Sequence, residues 1–172
     1  GSDTSWIQVA STGDGSIGLK SNGTLWTWGS NANGFLGLGI ASGHQSNPCQ
    51  VGTETSWVQI SGEGGLAVIA SKSNGTLWAW GGNSSGSLGL GDTISRSSPV
   101  QVGTATSWVD GFSAYQRHYA LMSDGTLWGW GSGGNYTFST NDTSNRSIPV
   151  QIGSLTGWHK VGGGTVGVSA LR

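Results

Sequence analysis

Three histidines, one cysteine and eight carboxylates are the residues of this 172-residue chain best suited to acid–base, nucleophilic or metal chemistry. Their spacing argues against most of it. His44, His118 and His159 lie far apart, and Cys49 is near only the first, so no run has the close ligand spacing of a metal site. The phosphate-binding loop G-x-x-x-x-G-K-[ST] and the zinc-binding H-E-x-x-H are absent from the sequence. Asp14 in "STGDGS" and Glu63 in "SGEGG" hold matching turn positions and are the nearest thing to a carboxylate pair. Turns favour Asp on conformational grounds alone, and only these two acids recur. Glycine-rich turns such as "GDG", "GEGG" and "GGG" present backbone N–H groups that suit an anion. The simpler reading is that they supply positive φ where the chain reverses. We therefore expect no enzyme activity, no metal and no cofactor.

Recognition chemistry is better represented. Tyr115, Gln116 and Arg117 put an aromatic ring, an amide and a guanidinium side by side, and Tyr and Arg are enriched at binding hot spots. The stretch "NYTFSTNDTSNRS" (135–147) adds Tyr136, Phe138 and Arg146. With Asp14 and Glu63, these eight residues are the expected partner-binding positions. His118 is expected to be a framework histidine hydrogen-bonded to a neighbouring loop.

The elements that must carry these residues repeat. Trp6, Trp57, Trp108 and Trp158 are spaced by 51, 51 and 50 residues. Pro48, Pro99 and Pro149 recur at 51 and 50, and Trp26, Trp78 and Trp128 at 52 and 50. Each unit reads as four short strands: "SWIQVAS", "SIGLKS", "TLWTWGS" and "PCQVG" in the first. The Asn22-Gly23, Asn74-Gly75 and Asp124-Gly125 pairs predict two-residue type I′ hairpins before the third strand. Proline opening the fourth strand fits an edge position, where no ladder donor is needed. In the third strand Trp26 and Trp28 face one way, Leu25 and Thr27 the other, and the pattern recurs at Trp78/Trp80 and Trp128/Trp130. These six tryptophans are expected to cement neighbouring units. Four-stranded units with a period near 50 residues describe β-propeller blades.

Composition agrees. Charged residues are only 9%, against about 25% in an average domain, and 33 glycines with much Ser, Thr and Asn fill the space. Ten tryptophans supply core. The net charge of −1, with no basic stripe, predicts no nucleic-acid partner. No apolar run reaches the roughly 20 residues of a membrane-spanning helix, and no membrane partner is expected. The scarcity of Lys and Glu points to an extracellular setting and leaves the compartment open.

The string L-W-x-W-G-x-N, followed by G-x-L-G-L-G-D and P-x-x-V-G, resembles the RCC1 (regulator of chromosome condensation) repeat family, bacterial members included. It shows best in "TLWAWGGNSSGSLGLGD" (76–92) and "TLWTWGSNANGFLGLG" (24–39). The resemblance implies an all-β fold of RCC1-like propeller blades and a scaffold that binds proteins through its inter-strand loops. The third unit departs, replacing "LGLGD" with "NYTFSTNDTSNRSIP". Family repeats often place a histidine at the start of the second strand; here only His118 does so, with Ser16 and Leu66 in the matching places.

Residues 3–172 read as one repeat domain, with units at about 5–55, 56–106 and 107–156 and a partial unit at 157–172; Gly1-Ser2 reads as a cloning scar. Three blades and two strands cannot close a ring, so oligomerisation or flanking sequence is expected to complete it. Two copies hold the strands of seven blades, yet a two-fold axis requires an even blade count. The expected partners are further copies of the chain or another protein, with glycans bound by a lectin-like propeller as the alternative.

Overall fold

The computed structural model describes residues 4–12, 15–62, 65, 67–134, 138, 142–164 and 167–172. The first sheet is β1 (Trp6–Thr12), β2 (Gly15–Lys20), β3 (Leu25–Ser30) and β4 (His44–Gln50). The second is β5 (Trp57–Ser61), β6 (Ala67–Lys72), β7 (Leu77–Gly81) and β8 (Arg96–Gln101). The third is β9 (Trp108–Ala114), β10 (Arg117–Met122), β11 (Leu127–Gly131) and β12 (Arg146–Gln151), and β13 (Lys160–Gly164) with β14 (Gly167–Leu171) forms the last. Each sheet is an antiparallel meander in chain order. β1, β5, β9 and β13 come together around one cavity of about 680 Å³, which marks the propeller's centre.

The tryptophans divide the labour. Trp80 and Trp130 are fully buried, and each indole N–H donates to a carbonyl of the preceding blade: Phe35 O at 2.8 Å and Ser87 O at 2.9 Å. Trp80 packs with Ile17, Phe35, Leu36 and Val51 of the first blade, and Trp130 with Leu88 and Val102 of the second. Trp78 and Trp128, the first of their pairs, are partly buried against the same inter-blade clusters and also meet the opening tryptophan of their own blade. Trp78 meets Trp57 edge-on at 6.1 Å, and Trp128 meets Trp108 at 6.2 Å. Trp28 holds the register position of Trp80 and Trp130, no blade packs on its side among the described residues, and it is only half-buried.

Two further seams tie blades together. The backbone N–H groups of Trp57, Trp108 and Trp158 donate to the carbonyls of Gly23, Gly75 and Gly125 at 3.0–3.2 Å. On the inner strands, Gln8 both donates to Ile60 O (2.7 Å) and accepts from Ile60 N (3.0 Å). Gln59 Nε2 donates to both Asp110 Oδ1 and Gly111 O, and Asp110 Oδ2 accepts from Val161 N.

The structure corrects two local expectations. The Asn-Gly turns are not type I′: Gly23 N bonds to Lys20 O at 2.9 Å, Gly23 has φ 75°, and Asn22 is not left-handed. This is a three-residue hairpin ending in a glycine bulge. The glycine is needed twice over, because a β-carbon at Gly23 would strike the Thr55 carbonyl of the next blade. The prolines do not open the fourth strands. β4, β8 and β12 begin four or three residues earlier, and Pro48, Pro99 and Pro149 sit where the pairing slips, for example between Thr27↔Cys49 and Gly29↔Gln45. A bulge on an edge strand tolerates the missing N–H.

Candidate functional site

The β9–β10 hairpin carries Tyr115 and Gln116 in its two-residue turn, since Ala114 pairs with Arg117. Tyr115 is 56% exposed at φ 57°, a left-handed backbone that a bulky residue rarely adopts. In the first unit, where Thr12 pairs with Gly15, the sequence has glycine at the matching place, Gly13. Gln116 anchors the turn. Its carbonyl accepts from Ser132 N at 2.9 Å, and its side-chain oxygen accepts from Ser85 Oγ of the second blade at 2.8 Å. Arg117 starts β10, half-buried, and its charge opposes the burial that raises the Tyr119 hydroxyl above its ordinary pKa.

The other expected positions scatter. Phe138 is buried and faces Tyr119 at 6.0 Å, so this side chain belongs to the core rather than to a binding surface. Its place, five residues after Gly133, is that of Leu36 after Asn31 and Leu88 after Asn83. Arg146 pairs with Asp142 at 2.6 Å, as Arg96 pairs with Asp92 at 2.6 Å. Backbone hydrogen bonds from Ser144 and Ile94, then the two guanidiniums, hold both carboxyls below their ordinary pKa. Asp14, Glu63 and Tyr136 lie outside the described residues.

His118 is buried, with Nδ1 2.9 Å from Ser113 Oγ, its ring stacked on Trp130, and Nε2 without a partner among the described residues. Burial lowers its pKa to about 3, so it is neutral. The register sets Val68, not Leu66, opposite Trp80 as His118 stands opposite Trp130. Residues Gly82 to Gly86 also carry the G-x-S-x-G spacing of a hydrolase turn. Ser84 there is an exposed loop residue with no histidine bonded to it and no helix following, so the elbow geometry is missing. Among the described residues no three His, Cys, Asp or Glu side chains converge on a metal site.

Sequence reasoning missed the second-strand lysines. Lys72 is almost fully buried, with Nζ 3.6 Å from the Trp78 ring and 4.6 Å from Trp57, and it is ion-paired to Glu54. Lys20 lies over Trp26 and Trp6 in the first blade. The third blade has Met122 in this place and Ala105 in that of Glu54. The signal was present in the repeat as a shared offset, but nothing in one strand says that two indoles flank it.

This geometry defines a β-propeller segment: three complete four-stranded blades, half of another, and a face of inter-strand loops. The profile of the "Regulator of chromosome condensation (RCC1) repeat" matches residues 22–65 and 74–118, and a second profile of that name matches 6–34. The chain belongs to the RCC1 repeat family. It is 36% identical over 87 residues to the human "Probable E3 ubiquitin-protein ligase HERC3", covering 50% of this chain and 8% of that protein. Human WBSCR16 superposes with a TM-score of 0.82 at 22% identity, over 96% of this chain and 45% of that one. Prp20p of Saccharomyces cerevisiae, a protein with binding properties to Gsp1p and histones, gives 0.77 at 15%, over 87% and 39%. The chain thus spans less than half the length of each.

Proposed function

We propose that this chain is a non-enzymatic propeller scaffold that binds another protein through its inter-strand loops, with Tyr115, Gln116 and Arg117 at the centre of the contact. The observation that carries this is Tyr115: an exposed aromatic held in a costly left-handed turn at a position where another unit has glycine. Strain of this kind persists where it serves a function. The binding of Gsp1p and histones named for Prp20p supports a protein-binding use of the fold. Asp14, Glu63 and Tyr136 are further proposed contacts; Phe138 and Arg146 are left to the framework. The test is the affinity of a captured protein partner for Tyr115→Ala and Arg117→Ala chains that keep the parent circular dichroism. A loss of tenfold or more supports the reading, and unchanged affinity for both variants rejects it.

Self-association is the second reading, and Trp28 favours it. The Trp80 and Trp130 indoles each donate to a carbonyl of the blade before, while the Trp28 indole N–H, at the same register, has no hydrogen bond among the described residues. A blade from another copy would supply what this face lacks. Light scattering over a range of concentrations decides: a multiple of 17.5 kDa supports assembly, and a monomer throughout rejects it.

A further inference from the structure

A small cavity of about 70 Å³ opens where loops of three blades meet. Asn33 of the first blade, Ser84 and Ser95 of the second, and Tyr115 and Gln116 of the third contribute to its wall. Three observations set it apart. Asn33 and Tyr115 are the two non-glycine residues at positive φ among the described residues, each at 57°, and both line this one cavity. The side chains of Asn33, Ser84, Ser95 and Tyr115 have no hydrogen-bond partner among the described residues, and Gln116 uses only its oxygen, for Ser85. The wall carries hydroxyls, amides and one aromatic ring, with no Asp, Glu, Lys, Arg or His among the residues that line it.

We propose that this cavity and the exposed Tyr115 ring form a single binding site for a neutral hexose, free or as the end of a glycan. The chemistry matches on each count. A pyranose has an apolar C–H face, which an exposed aromatic ring covers, and an edge of hydroxyls that both donate and accept. Serine hydroxyls and side-chain amides do the same. The cavity has room for about two water-sized groups, which fits one hydroxymethyl or a pair of hydroxyls and leaves the ring outside on Tyr115. An anionic sugar finds no cation among these residues and gains nothing from its charge. Gln116, held by Ser85, and the two left-handed turns keep the donors in place before the ligand arrives, which limits the ordering cost. Among the described residues the site occurs once: the residue matching Asn33 in the second blade is Ser85, which is not left-handed.

Saturation-transfer NMR on the full chain tests this, with methyl glycosides of glucose, mannose, galactose and N-acetylglucosamine, and with glucuronate as the charged control. At least one neutral glycoside is expected to bind with a dissociation constant on the order of 1 mM, and glucuronate no more tightly. Tyr115→Gly, which fits the turn and folds, should weaken binding about tenfold or more, and Tyr115→Phe, which keeps the ring, only about threefold. An oligosaccharide ending in the preferred sugar, compared with the free methyl glycoside, tells whether a glycan end or a free sugar is the better ligand. Failure of all four neutral glycosides at concentrations near ten times that constant overturns the proposal. So does a glycoside signal that survives Tyr115→Gly, or a site that takes only a protein. The protein-partner reading stands or falls separately, on the affinity of the captured protein.

Discussion

Exchanging the Glu54–Lys72 pair for the residues of the next blade is a test the repeat itself provides. Lys72 is 6% exposed between two indoles, and Glu54, its ion-pair partner, is 52% exposed. Ala105 and Met122 hold the same places in the third blade, where the flanking tryptophans keep nearly the same geometry, 6.2 Å and 79° against 6.1 Å and 79°. Glu54→Ala leaves the ammonium buried against ring faces alone. Because half of the carboxylate meets water, the loss is well short of that of a fully buried pair, about 1 kcal/mol. Lys72→Ala removes the cation from both rings and empties the space its stem filled, about 2–4 kcal/mol. Lys72→Met refills that space with a flexible apolar chain and should cost about 1 kcal/mol or less. The Glu54→Ala/Lys72→Met chain should lie within about 1 kcal/mol of the parent. In a domain of this size each kcal/mol shifts the melting temperature by about 2–4 °C. Urea denaturation of the four variants, read as a double-mutant cycle, measures the coupling. If Lys72→Met costs as much as Lys72→Ala, the charge rather than the volume holds the blade, and the argument from the third blade fails.

The two W-x-W ends predict an asymmetry: Trp130→Phe should cost about 2–3 kcal/mol, since it opens the seam and strands the Ser87 carbonyl, while Trp28→Phe should cost under about 1 kcal/mol. Parallel urea titrations check it, and equal costs would contradict the seam. Tyr115→Gly should leave stability unchanged or raise it by up to about 1 kcal/mol, as relief of the left-handed turn outweighs the added chain entropy. A clear loss in thermal denaturation would refute the strain. His118 predicts acid sensitivity. The folded ring titrates near 3 because it is buried, and the unfolded ring at its ordinary value of 6.5. Below that value the unfolded chain binds the extra proton, so stability is complete above about pH 6.5 and falls by about 1.4 kcal/mol per pH unit between roughly pH 6 and 4. Asp92, Asp124 and Asp142 are held below their ordinary pKa, so their contributions are lost only under more acid conditions. His118→Val, copying Val68, should flatten the stability profile in that window; an unchanged slope would remove His118 as its cause.

Much of the fold was legible because a repeat states the same physical requirement several times. Four strands per unit, the alternation of Trp with small residues, and the glycine of each 2–3 turn all follow from periodicity and side-chain size. The candidate site was legible only in part. Tyr115 and Gln116 stood out by residue type, but Asn33, Ser84 and Ser95 are ordinary loop residues until loops from three blades meet. Phe138 reads as an exposed aromatic in a polar loop, and only the offset of five from Gly133 shows that it fills a leucine slot.

The sequence alone determined that this protein is built of RCC1-type blades, because blade-forming information is local: strand period, turn chemistry and bulk all lie within fifty residues. Tertiary structure decided everything that depends on the neighbouring blade. It buried Trp80 and Trp130 but left Trp28 half-exposed, set Lys72 between two rings, and moved each proline from a strand's start to its bulge. The physical reason is that identical residues differ in energy only through what is packed against them, and packing partners fifty residues away leave no mark on local pattern.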